Sequence, residues 1–358
     1  MSERHVDYAI IGSTPLARLL AGLLASTHGQ TVVWAGDSHA AFRLPRGIDL
    51  SVGPLTRPDS WAVLAQAVPE TVKLLARIGG RTSIQRLDPI LFAATPAGQQ
   101  ALAFTLSSAL GFGHAVERLP ADQFGRGRAG IVLRDAVHLQ RDRLEPILDR
   151  WLDGMAVDRL PWSQTEITVS PDGGARLVRG DDVTLAGRTI LADDEAILAY
   201  LPADSVDRLF IRQPMTTILT EPTFAMASRV MVQVDADLAF VQANHRGVIA
   251  IGAGDHDRCV SEIGVLLGAN RQLRQAGGAG HERLRSRDGA PVMGRVGDGP
   301  QVLAGLGSIG AFLAPALARW CTGTARPEET DYFAARLAGR SLSPSIVADY
   351  APAALATA

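Results

Sequence analysis

The sequence predicts an α/β protein in which a helix-flanked, mainly parallel sheet is interleaved with an antiparallel, strand-rich part. Three observations carry this expectation. A short apolar run, a leucine-rich stretch at helical spacing and a second apolar run follow one another near the N-terminus. Strand-like runs broken by Asp-Gly and Gly-Asp turns fill much of the chain after residue 165. The last quarter then returns to an apolar strand, a glycine-rich loop and a helix.

In chain order, "YAIIG" is apolar enough for a strand covered on both faces. Leu16, Leu19, Leu20, Leu23 and Leu24 follow with the spacing of one helical face, and the helix is expected to end near "THGQ". "TVVWA" completes a βαβ unit. Trp61 to Ile78 reads as a second helix, and "RDRLEPILDRWLDG", Arg141 to Gly154, as a third closed by its glycine. "TEITVSPDGGARLVRGDDVTLAGRTILADD" reads as a meander of strands, and "RVMVQVDADLAFVQANHRGVIAIGAG" as another antiparallel set. "PQVLAGLGSIG" and "AFLAPALARWCTG" close the pattern with strand, loop and helix.

Composition narrows the function. With 358 residues and 47% hydrophobic content, the chain can bury a sizeable core as one large or two interleaved domains. A formal net charge of -2, from 35 basic and 37 acidic residues without runs of either sign, steers the protein toward neither nucleic acid nor acidic lipid. Cys259 and Cys321 are far apart and outside any Cys/His cluster, which argues against a disulfide scaffold and structural zinc and for a reduced, cytoplasmic setting. No apolar run approaches the ~20 residues of a membrane span, and "MSERHVDYAIIG" lacks the apolar core of a signal peptide.

Four stretches together resemble the flavin-dependent oxidoreductases of the D-amino-acid oxidase and glycine oxidase type. They are the N-terminal βαβ unit, "AVHLQRDRLEPILDRWL" with "GRTILADDEAILAYLP", "RLRSRDGAPVMG" (Arg283 to Gly294) and "VLAGLGSIGAFLAPALARWCTG". The third is similar to a family pattern Arg-Pro-x-Thr-x-Asp-Gly-x-Pro-x-x-Gly, with Leu284 in place of proline and Ser286 in place of threonine. The resemblance implies a Rossmann-like FAD-binding domain of the glutathione-reductase type, built from residues 1–80, 130–205 and 285–340. It implies a β-rich substrate domain from 81–129 and 206–284. It further implies FAD as cofactor, an amine or amino acid as substrate with hydride transfer to the flavin, and a homo- or hetero-oligomer as an option. The alternative from another class is a noncatalytic or partner-dependent subunit that keeps the fold with weakened or lost FAD binding.

The same resemblance assigns site residues. Gly305, Gly307, Ser308, Ile309 and Gly310 are expected beside the flavin ring, where a glycine turn opening a helix offers backbone N–H groups and a positive dipole end. Gly12, Ser13, Thr14, Pro15 and Ala17 are expected at the diphosphate, but only Gly12 survives from the pattern Gly-x-Gly-x-x-Gly. Thr14 brings a Cβ toward the phosphate path along with a hydroxyl donor. Ala35 stands where an acidic residue would bind the ribose, a loss of ~1.5–3 kcal/mol, with Asp37, Ser38 or Arg43 as partial substitutes. Either FAD binds in an unusual way or the site has decayed while the fold persists. Arg283 is the expected partner of a substrate carboxylate, or else part of the basic, exposed run "HERLRSR". His245 reads as a turn residue rather than a base, His138 carries the same ambiguity, and Trp34 and Trp61 read as packing residues.

Overall fold

The computed structural model describes residues 2–37, 43–120, 123–124, 126–155, 157–267 and 274–342. Its first unit forms as the apolar pattern requires. Strand β1 (Ser2–Ile11) leads through Gly12 into helix α1 (Pro15–His28), and β2 (Val32–Ala35) returns parallel to β1, pairing Tyr8 with Val32 and Ile11 with Ala35. Thr14 caps α1, its hydroxyl accepting from the Ala17 N–H at 3.3 Å, and Pro15 supplies a preset first helical residue. Gly29 ends the helix in the left-handed region at φ 65°.

Two large sheets organise the rest. In the first, the order is Val292–Arg295, Gln301–Ala304, Asp182–Leu191, β1, β2 and Asp158–Leu160. The strand Asp182–Leu191 runs parallel to β1 from Ser2↔Asp182 to Ile11↔Leu191, and its last residues pair in parallel with Gln301–Ala304. The meander expected after residue 165 is present, with Glu166–Val169, Ala175–Arg179 and Asp182–Leu191 in antiparallel succession. The second sheet has the order Gln275–Ser286, Phe210–Thr220, Val248–Ala253, Leu238–Gln242, Val230–Gln233, Ile90–Ala93, Ala129–Leu133 and Val116–Arg118. It is antiparallel throughout except where Val230–Gln233 meets Ile90–Ala93. A short ribbon joins Ile84–Leu87 to Ala136–Leu139.

Helices pack against both sheets. Helix α2 (Pro58–Arg77) starts three residues before the expected Trp61, because Pro58 fits its first turn. Helix α3 is Pro96–Gly111 and α4 is Arg141–Gly154. Gly154 lies inside α4, which is capped by Met155 rather than closed by a glycine. Helix α1 passes close to α4, since a Cβ on Gly22 would sit 2.3 Å from the Trp151 ring. The terminal glycine loop does not open directly into an α-helix. A 3₁₀ segment, Gly307–Leu313, comes first and the α-helix Ala314–Cys321 follows.

The largest apolar core joins the α1 leucines to Trp61, Phe312, Leu313 and Leu317, while a second fills the other face of the sheet around Ile11, Leu191 and Val302. Trp34 and Trp61 are packing residues whose indole N–H groups donate to Gly12 O (2.9 Å) and Leu55 O (3.1 Å). Cys259 and Cys321 are free and buried, and burial pushes the Cys321 thiol up to about 12. Among the described residues no helix is long and apolar enough to cross a membrane. None of those residues forms a His, Cys, Asp and Glu group able to hold a metal.

Candidate functional site

A cavity of about 1030 Å³ lies between the two sheets. The α1 turn stands at one end of its wall and the Gly305–Gly310 loop lines another part, while the antiparallel sheet contributes Arg283 and its neighbours. Of the residues expected at the site, Ser13, Thr14, Gly305, Gly307, Ser308, Gly310 and Arg283 all line this one space. Gly12, Pro15, Ala17 and Ile309 stand behind it, with Ala17 and Ile309 in the core. Segments almost three hundred residues apart in sequence thus share one wall.

At the glycine loop the backbone turns through left-handed residues, Gly305 at φ 70° and Gly307 at φ 54°. The loop is fastened to the segment 50–53. The Leu50 N–H donates to Ser308 O at 2.9 Å, and Ser308 Oγ donates to Val52 O at 3.1 Å. Ser308 therefore spends its hydroxyl proton inside the protein instead of on a ligand.

At the α1 end, part of the donor set that a phosphate would seek is already engaged. The Ser13 N–H donates to Asp193 Oδ2 at 2.6 Å, the Ala17 N–H to Thr14 Oγ1, and Pro15 has none. Asp193 follows the strand Asp182–Leu191 and caps the short helix α5 (Asp194–Tyr200), its Oδ1 accepting from the Ala196 N–H at 2.9 Å. Burial raises the pKa of Asp193, against the pull of its two backbone donors. The neighbouring Asp194 is pushed up to about 6, mainly by burial and further by Asp193, although it accepts the Leu284 N–H at 3.1 Å. Glu195 pairs with Arg46 at 2.6 Å and with Arg43 at 3.8 Å.

Beneath the turn lies Arg18, wholly buried among the apolar residues of the first turns of α1. Its Nε donates to Asp149 at 3.0 Å and its terminal nitrogens to Ser13 O at 2.8 Å and Asp37 O at 3.2 Å, with Glu145 at 3.5 Å. The guanidinium stacks 4.5 Å above the Trp34 ring. One cation thereby ties the α1 turn, the end of β2 and α4 together. Ala35 is fully buried, and Asp37 turns its N–H to Ser13 Oγ at 3.1 Å, while Arg43 is committed to Glu195. Ser38, also considered for the ribose, lies outside the described residues.

The substrate-facing wall carries opposite charges side by side. Arg283 forms an ion pair with Asp237 and donates to Gln213 at 3.1 Å, so it belongs to the cavity wall rather than to an exposed basic run. Burial draws its pKa down to about 10. Two residues earlier on the same strand, and so on the same face, His281 lines the cavity with a buried Nε2 that has no partner among the described residues. Burial first and Arg46 second bring its pKa down to about 4. Gln233 Oε1 and His138 Nδ1, on the same cavity, are likewise buried without partners among the described residues. His245 occupies the turn before Arg246 (φ 68°), its Nδ1 accepting from the Gly247 N–H at 3.2 Å, as a turn residue does.

Sequence reading missed Arg18, Asp193, Asp194, Asp237 and His281. A lone arginine amid leucines was a visible sign of a buried ion pair. The acids of "LADDE" followed an apolar strand and offered no sign of the turn they meet.

A helix-covered, largely parallel sheet, an antiparallel sheet beside it and a cavity between them make up a fold shared with solved amino-acid oxidases and dehydrogenases. No family model and no curated protein matches the sequence. Solved structures resemble it over nearly its whole length. One is L-proline dehydrogenase from P. horikoshii, with 14% identity, TM-score 0.70 and coverage of 93% of this chain and 97% of the other. Another is glycine oxidase from Geobacillus kaustophilus, with 14% identity, TM-score 0.68 and coverage of 89% and 94%. A third is NikD, described as an unusual amino acid oxidase essential for nikkomycin biosynthesis, with 14% identity, TM-score 0.71 and coverage of 96% and 100%.

Proposed function

We propose that the protein is an FAD-dependent oxidoreductase that oxidises a small amine or amino acid in the cavity between its sheets. One observation carries this reading: within this fold, a single space joins the Gly305–Gly310 loop to the Arg283–Asp237 pair. A zwitterionic amino acid offers a carboxylate to the guanidinium and an ammonium to the carboxylate, so the pair is complementary to both ends of such a substrate.

The residues fit a flavin at the ring end. The left-handed Gly305 and Gly307 keep side chains out of the wall, and the fastening of Ser308 to Val52 and Leu50 holds that backbone rigid. When bound, flavin supplies the two-electron acceptor for a hydride from the carbon beside the amine, and oxygen or another acceptor takes the electrons onward. The protein's part is to orient the amine and the carboxylate. Arg283 and Asp237 fix the substrate's direction, and the His281 Nε2, neutral at physiological pH and without a partner among the described residues, can accept a hydrogen bond from the substrate amine. On the division into domains, we assign 1–80, 130–205 and 285–340 to the FAD side and 81–129 with 206–284 to the substrate side.

The test is reconstitution. Purified protein titrated with FAD is expected to perturb the flavin band near ~450 nm in a saturable way, and an amino-acid substrate should bleach that band without oxygen only when the protein is present. A flavin spectrum unchanged by the protein, with no gain in thermal stability at saturating FAD, overturns the reading.

A further inference from the structure

The diphosphate end of the cavity does not match the cofactor as the ring end does. The N–H of Ser13, a cavity-lining residue just before α1, is held at 2.6 Å by a carboxylate of the protein itself. Asp193 is not there by the accident of a mobile side chain. Its other oxygen caps α5, so both oxygens are fixed by backbone donors, one on each side. A Cβ on Gly12 would lie 3.0 Å from Asp193 Oδ2 and 3.1 Å from its Cγ, so the bare glycine is the space in which this carboxylate sits. Ser13 Oγ is engaged by the Asp37 N–H, and Ser13 O by Arg18, which pins the turn in this arrangement.

We infer that Asp193 is a built-in competitor for the nucleotide diphosphate: it occupies the Ser13 N–H, one donor of the turn that leads into α1, and places a carboxylate where a phosphate oxygen would approach, and thereby sets a low affinity for adenine dinucleotides. The location of the diphosphate rests on the flavin reading of the cavity. An incoming diphosphate must displace one carboxylate and then remain beside it, and the nearby Asp194 and Glu195 add charge of the same sign. Arg43 and Arg46, which would counter that charge, are already paired with Glu195.

The experiment separates the two ends of the cofactor. ADP carries the diphosphate without the ring and riboflavin carries the ring without the diphosphate. Each is titrated calorimetrically into the full-length protein and into Asp193→Asn, Asp193→Ser and Asp194→Asn. Asparagine and serine both cap helices well, so α5 keeps its start in the first two variants. The expected result is ADP binding at least tenfold tighter in both Asp193 variants, with a change under threefold in Asp194→Asn. Riboflavin affinity should stay within twofold throughout. Unchanged or weaker ADP binding in the Asp193 variants overturns the inference, as does an equal gain in Asp194→Asn, which would reduce the effect to general charge. No ADP binding in any variant also overturns it, because an opened seat would then take no diphosphate. Absence of riboflavin binding with a tenfold ADP gain defeats the flavin reading and leaves the role of Asp193 standing.

Discussion

Replacing Arg18 by methionine tests whether the buried cation organises the α1 turn. Methionine has a similar reach, so the substitution removes charge and hydrogen bonds with little change in packing. Asp149, Ser13 O and Asp37 O lose donors at 3.0, 2.8 and 3.2 Å, and Glu145, 3% exposed, loses the cation 3.5 Å away. Breaking a buried ion pair from one side costs about 3–5 kcal/mol, because the remaining charge stays desolvated. Against a total stability of about 5–15 kcal/mol, that is a large fraction. At about 1.3 °C per kcal/mol for a chain of 358 residues, the melting temperature should fall by roughly 4–7 °C. Urea denaturation and calorimetry of Arg18→Met, Glu145→Gln and the double variant form a cycle. The double variant should recover about 1–2 kcal/mol relative to Arg18→Met, since neutralising Glu145 removes the stranded charge. A loss below about 1 kcal/mol for Arg18→Met, or a double variant less stable than the single, would refute the view that this arginine is a structural keystone.

Further outcomes are expected elsewhere in the cavity. Gly307→Val adds a branched Cβ at φ 54°, a strain of ~1–3 kcal/mol; flavin-to-protein ratio should collapse while far-ultraviolet circular dichroism barely changes, and a fully loaded mutant would place the ring elsewhere. Thr14→Gly removes the α1 cap, for a stability loss of a few tenths of a kcal/mol, and should leave ADP binding governed by Asp193; a tenfold gain from Thr14→Gly alone would contradict that. His281 has a folded pKa of about 4, below its usual 6.5, so its stability contribution is complete above pH 6.5 and is lost as pH falls toward 4. His281→Gln should therefore narrow the gap between urea midpoints at pH 6.5 and pH 5 by up to roughly 2 kcal/mol, and an unaltered gap would show that the imidazole is solvated. Asp194 works in the opposite sense, since its pKa of about 6 lies above 3.8 and deprotonation between those values costs stability as pH rises. Asp194→Asn should accordingly steepen the stability gain between pH 4 and pH 6, and a flatter profile would argue against its burial.

Much of the fold was legible because it is written in local patterns. The spacing of Leu16, Leu19, Leu20, Leu23 and Leu24 places one face of α1 against the core, and the Asp-Gly and Gly-Asp turns mark the meander. The loss of glycines at Thr14 and Ala17 was equally plain. What replaced them was not, because Asp193 reaches Ser13 from 180 residues away. No periodicity reports such a contact. Arg283 was recognisable from its Asp-Gly-x-Pro neighbourhood, but its partner Asp237 sits in a turn at φ 51° whose sequence gives no hint of the strand it faces. The terminal loop departs from its pattern in one respect: Gly307–Leu313 winds as a 3₁₀ segment, anchored through Ser308 to Val52, a residue that no local pattern brings near.

The position of β1 bears on how the chain is made. Its partner β2 leaves the ribosome within a few dozen residues, but its other edge waits for Asp182–Leu191, which pairs 180 positions downstream. At about 5–20 residues per second, synthesis leaves that edge open for roughly 9–36 s. During this interval "YAIIG", the apolar half of a strand whose first half carries Glu3, Arg4 and Asp7, presents unpaired N–H and C=O groups. The N-terminal unit therefore depends on slow, non-local closure, and nascent chains halted before residue 182 should be bound by chaperones or aggregate, whereas chains extended beyond residue 191 should not.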